Sequence, residues 1–139
     1  MRFMIMVRAD AETEAGVFPE ESAKQKLVDA MAKYHEELKK AGALLDGGGL
    51  KPSSAGWRVK YDGGQQSVTD GPFAEARELI AGYTLIDVKS REEALEWSRR
   101  FPNPAGEGRR ATIEVRPLYE LDDFGPGEGV ERLRKVGLQ

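Results

Sequence analysis

Two stretches carry apolar residues on both alternating faces. Phe3, Ile5 and Val7 alternate with Met4 and Met6, and Leu79 to Val88 is apolar almost throughout. Strands of this kind are covered on two sides and belong in the middle of a sheet. Between them, Leu27, Met31, Tyr34, Leu38 and Ala41 recur at spacings of four and three. That stripe predicts a helix from Pro19, a residue suited to a first helical turn, to about Ala41, with Gly42 as its left-handed cap. Asp10 to Phe18 shows no period and reads as a loop.

Ala43 to Asp46 reads as a second strand, interrupted by Gly47-Gly48-Gly49. Three glycines there suggest a bulge or the close approach of a backbone or ligand. Trp57, Val59 and Tyr61 alternate with Arg58 and Lys60, the pattern of a half-buried strand, and Asp62-Gly63-Gly64 turns the chain into Gln65 to Thr69. Ser90 and Glu93 have capping-box spacing and open a second helix, with Ala94, Trp97 and Phe101 facing the sheet and Pro102 and Pro104 ending it. Ile113 and Val115 alternate with Thr112, Glu114 and Arg116 in a last strand. The order is strand, helix, strand, hairpin, strand, helix, strand, with no internal repeat. This is α+β, the ferredoxin-like βαββαβ pattern with an added hairpin limb. Two helices cover one face of such a sheet, so the doubly apolar strands call for a second cover. A second copy of the sheet supplies it, and a homodimer is expected.

Composition narrows the function classes. The 139 residues fit one domain, and a formal net charge of −3 gives no electrostatic case for nucleic acid. The basic pairs Arg99-Arg100 and Arg109-Arg110 have acidic neighbours and read as solvated faces. No apolar run approaches the roughly 20 residues of a membrane helix, and the N-terminal stretch is too short for a signal peptide. A cytoplasmic protein with no membrane partner is expected. There is no Cys and one His, so no thiolate chemistry is available, no metal site is expected, and no cofactor motif is present. The single imidazole, His35, lies on the shoulder of the helix stripe, where a half-buried structural role is the ordinary one.

The sharpest local feature is the corner Asp70-Gly71-Pro72-Phe73 between two strands. Gly71 permits angles closed to other residues, and Pro72 stiffens the turn. An isolated Asp at such a corner usually caps the turn through its own side chain. The longer run Val68 to Glu78 resembles the DGPF branch of the YCII-related proteins. His35, the segment Ala41 to Leu45, Gly47 to Pro52, Gly82-Tyr83, Glu93 to Trp97 and Ile113 to Leu118 also match that family. The match departs at Phe18, where the family has a small polar cap.

The resemblance implies a dimeric α+β barrel, with a YCII-related domain over 1–118 and an arm over 119–139 that packs on the surface or is partly disordered. It implies a cleft between sheet and helix that binds a small molecule, with His35 and Asp70 as a catalytic pair. Imidazole changes charge near neutral pH, so a carboxylate could hold one nitrogen while the other moves a proton. Arg116 could bind an acidic or enolate oxygen, and Tyr83 and Gly48 could line the cavity. Two functions fit: a cofactor-free acid/base enzyme of lyase or dehydrohalogenase type acting on a small acidic or cyclic molecule, or a non-catalytic dimeric binding or regulatory module.

Overall fold

The computed structural model describes residues 1–17 and 20–139. The expected helix start at Pro19 and the departure at Phe18 lie outside them. Four strands form one antiparallel sheet: β1 (Arg2–Arg8), β2 (Leu44–Gly49), β5 (Ile80–Asp87) and β6 (Ile113–Pro117), in the order β2-β5-β1-β6. That is the ferredoxin-like order, and the two doubly apolar strands are its central pair. Helices α2 (Glu21–Lys40) and α3 (Arg91–Arg99) supply the two crossovers.

The core lies between these helices and one face of the sheet. Phe3, Ile5, Leu38, Ile86, Ala94 and Trp97 are buried there. Full burial of Ile5, Leu38 and Ile86 stabilises the fold by about 2 kcal/mol each. Tyr34 crosses the core and donates its hydroxyl to the Trp97 carbonyl at 2.8 Å. Burial pushes its pKa up to about 12, against the opposing pull of Arg100. Gly42, at φ +71°, ends α2 with bonds from Gly42 N to Lys39 O and from Ala43 N to Leu38 O. Ser90 caps α3 by accepting from Glu93 N, while the Glu93 carboxylate reaches back to Lys89 N instead of Ser90 N.

Several expectations are corrected. The stretch expected to be a loop contains a short helix, α1 (Ala11–Glu14), because Asp10 and Thr13 exchange capping hydrogen bonds. The glycines of β2 do not interrupt it; the irregularity falls at Leu45, between Leu44 and Asp46. The hairpin strands β3 (Trp57–Asp62) and β4 (Gln65–Asp70) pair only with each other and are exposed throughout, so β3 is not half-buried. Its alternation separates two faces, yet every residue on both is exposed, with the Phe73 ring over Arg58.

Gly71 does not have a positive φ. Its role is close approach, since a Cβ built there would lie 1.8 Å from the Ser53 carbonyl oxygen. Around it Gly71 N donates to Gly56 O and Phe73 N to Ser53 Oγ, each at 3.0 Å, and Arg58 stacks on the Phe73 ring. Ser53 in turn donates to the Glu14 carboxylate. The corner is a clamp that ties the ribbon to α1. Beyond β6 the chain forms a 3-10 turn at Leu121–Phe124 and helix α4 (Glu128–Lys135). Arg2 binds Glu120 and the Gln139 carbonyl, joining this segment to β1.

Candidate functional site

An open cleft of about 1600 Å³ lies beside α2 along the β2 edge of the sheet. Leu27, Met31 and Phe101 give it an apolar wall. Residues of the segment around α1 and of the loop from Pro104 to Thr112 also line it. Arg109 of that loop binds both Glu12 carboxylate oxygens, at 3.0 and 3.1 Å, and so latches the loop to α1.

His35 sits half-buried in the wall. Its Nδ1 is 2.7 Å from the Met31 carbonyl one helical turn back, and its Nε2 is 2.9 Å from Thr84 Oγ1. A carbonyl only accepts, so Nδ1 carries the hydrogen and donates it. In the neutral ring Nε2 then accepts from the Thr84 hydroxyl. Tyr34 packs edge-on against the ring, with centroids 5.5 Å apart, and fixes its plane. Thr84 is 2% exposed and occupies the helix-facing parity of β5, next to Ile86. Gly47 lies alongside: a Cβ there would be 3.5 Å from Nε2 and 3.7 Å from Thr84 Oγ1. Glycine leaves this patch of the cleft bare.

The irregularity at Leu45 determines which residue faces the imidazole. In a regular strand Asp46 would pair with Thr84 and stand on the helix side of the sheet. The extra residue pairs Asp46 with Leu85 and Gly47 with Thr84 instead, and a slip of one reverses every side chain beyond it. Asp46 therefore falls on the outer face, where it accepts from its neighbour Gly47 N at 2.8 Å and from the Tyr83 hydroxyl at 3.2 Å. The Asp46 hydrogen bond, followed by its negative charge, holds the Tyr83 phenol protonated above the usual range.

The residues singled out in the sequence are thus divided. His35, Gly48 and Tyr83 all border the cleft, but register puts the Tyr83 side chain on the outer sheet face opposite Met6. Arg116 pairs with Met4 on that same outer face, is exposed, and is not among the cleft residues. Asp70 ends β4 opposite Trp57, exposed and away from the cleft lining. Within one chain the His35–Asp70 pair is not formed, since both ring nitrogens have other partners. Sequence reasoning missed Thr84, whose signal was a polar residue on the buried parity of a central strand. Arg109 and Arg110, read as a solvated face, are exposed and also border the cleft. Among the described residues no group of three or more His, Cys, Asp or Glu could hold a metal, and no helix is long and apolar enough to cross a membrane.

An uncharacterized protein of Rhizobium meliloti (strain 1021) is 38% identical over 88 residues, covering 63% of this chain and 67% of the relative. Among solved structures, 5-chloro-2-hydroxyhydroquinone dehydrochlorinase from Burkholderia phenoliruptrix AC1100, in complex with 2,5-dihydroxybenzoquinone, superposes with a TM-score of 0.43 at 13% identity. That superposition covers 86% of this chain and 95% of the other. The profile of the YCII-related domain matches residues 1–121, the whole ferredoxin-like unit with its hairpin, and the chain belongs to the YCII-related family.

Proposed function

We propose that this chain is a cofactor-free acid/base enzyme of lyase type, in which Nε2 of His35 takes a proton from a small molecule bound in the cleft. One observation carries the reading: the only imidazole borders a roomy cleft with Nδ1 tied to the Met31 carbonyl, which leaves Nε2 as the basic atom. In an elimination, a carbon-bound substrate proton passes to Nε2, directly or through the Thr84 hydroxyl, which accepts it while giving its own proton to the ring. The released C–H pair forms the new double bond, and the leaving group departs with its bonding electrons. The imidazolium then returns the proton to the leaving group or to water. General-base catalysis of this kind contributes typically 10²–10⁴-fold.

Solvent exchange tests the reading without knowledge of the leaving group. The protein is incubated in deuterium oxide with a panel of small carbonyl acids and phenols, and loss of carbon-bound protons is followed by NMR. The expected result is exchange with at least one compound that falls about 100-fold in His35→Asn. Equal exchange in the two proteins would remove His35 as the base.

A specific observation favours the other reading, a non-catalytic binding module: both ring nitrogens of His35 already have protein partners. On that reading no compound exchanges and His35→Asn changes stability alone. We also propose a homodimer. Met4, Met6 and Leu85 are only half-buried on the outer sheet face, and a second copy of that face is a fitting cover.

A further inference from the structure

The charged residues around the cleft are unequally committed. Five cationic and three acidic residues border it, in a chain whose formal net charge is −3. All three carboxylates are engaged: Asp10 caps α1, Glu12 binds Arg109, and Asp46 accepts from Gly47 N and Tyr83. Of the cations, Arg8 pairs with Glu114 and Arg109 with Glu12. The side chains of Lys51, Arg77 and Arg110 make no hydrogen bond or ion pair among the described residues, so the uncommitted charge at the cleft is positive.

Of the three, Arg110 stands on the loop that Arg109 latches to α1. The backbone is held on both sides of it, because Asn103 Nδ2 donates to Arg109 O at 2.7 Å and Arg8 N donates to Thr112 O at 3.1 Å. A held backbone leaves only the Arg110 side chain to be ordered on binding, at about 0.5–1.5 kcal/mol. Its planar fork suits a carboxylate.

We infer that the cleft binds a small organic anion with an apolar body, its carboxylate on the Arg110 guanidinium and its ring or chain against Leu27, Met31 and Phe101. Arg110 takes the anion-binding part that sequence reading gave to Arg116, which lies on the other face of the sheet. The inference uses the cleft of the proposed function and names the class of molecule it holds. Its test does not depend on catalysis.

Benzoate and benzamide share a shape and differ in charge, so calorimetric titration of the full-length protein with each provides the probe. Benzoate is expected to bind at least tenfold tighter than benzamide, since a hydrogen-bonded charge pair adds about that much. Arg110→Gln should weaken benzoate about tenfold and leave benzamide unchanged, and Arg116→Gln should change neither. Benzamide binding as well as benzoate, no benzoate binding at millimolar concentration, or an Arg110→Gln protein that keeps full benzoate affinity would each overturn the inference. His35→Asn separates the two proposals: benzoate binding that survives while proton exchange is lost supports both. Absence of exchange in the wild type with the charge preference intact removes the enzyme and leaves the anion site.

Discussion

Gly71→Ala puts one methyl group where the chain has no room. The new Cβ would stand 1.8 Å from the Ser53 carbonyl oxygen, 2.6 Å from its carbon and 3.2 Å from Ser54 N, all backbone atoms that cannot rotate away. A carbon and a carbonyl oxygen rest roughly 3.3–3.6 Å apart, so the ribbon and the Ser53 turn must separate by on the order of 1.5 Å. That movement stretches the Gly71–Gly56 and Phe73–Ser53 hydrogen bonds past useful range. Each is worth about 1 kcal/mol net, and overpacking itself costs about 1–3 kcal/mol. The sum is a loss of about 3–5 kcal/mol, an upper bound because an exposed ribbon is free to swing outward. Urea unfolding followed by tryptophan fluorescence measures it, because Trp57 reports the ribbon and Trp97 the core. Gly64→Ala is the control, since nothing lies within 4 Å of a Cβ there; it should cost less than about 1 kcal/mol. A Gly71→Ala protein as stable as that control would refute the close-approach account.

Three further outcomes are expected. Folding holds the Tyr34 proton more tightly than the unfolded chain does, so its contribution is complete below pH 10 and is lost as pH rises toward about 12. Urea midpoints should fall more steeply over that window in the wild type than in Tyr34→Phe, and equal slopes would contradict the assignment. Thr84→Val keeps the shape but leaves Nε2 without its donor; it should cost about 1–2 kcal/mol, and an unaltered unfolding midpoint would count against the Thr84 contact. Sedimentation velocity should find a dimer at micromolar concentration that Met6→Lys dissociates, whereas a monomeric wild type would remove the proposed cover of the outer face.

The topology was legible because strands apolar on both faces belong in the middle of a sheet, and Phe3 to Val7 and Leu79 to Val88 had that character. The helix stripe and its Gly42 cap were equally plain. What the pattern did not contain was whether anything covers a given face. Trp57, Val59 and Tyr61 alternate as a packed strand would, yet are 65%, 40% and 72% exposed. Nor could the site be read by parity from Leu44, since one extra residue at Leu45 moves Asp46 to the outer face and brings Gly47 to His35. The Asp70 corner is distinctive because the Ser53 carbonyl approaches Gly71 so closely. Its distinctiveness therefore has a structural cause that sequence alone does not separate from a chemical one. Arg110 gave no sign of the cleft it borders, because its neighbours in sequence do not reveal which distant segments line that cleft with it.

The base assignment rests on which ring nitrogen of His35 carries the hydrogen in the neutral form. A long-range proton–nitrogen correlation spectrum of the protein, recorded at alkaline pH below 10, resolves this for the single imidazole in the chain. Expected is a protonated Nδ1, held by the Met31 carbonyl, and an unprotonated Nε2 whose lone pair accepts from the Thr84 hydroxyl. A protonated Nε2 with a bare Nδ1 would leave the Met31 carbonyl facing a lone pair, place the basic atom inside the helix, and contradict the proposal that His35 takes a proton from a molecule in the cleft.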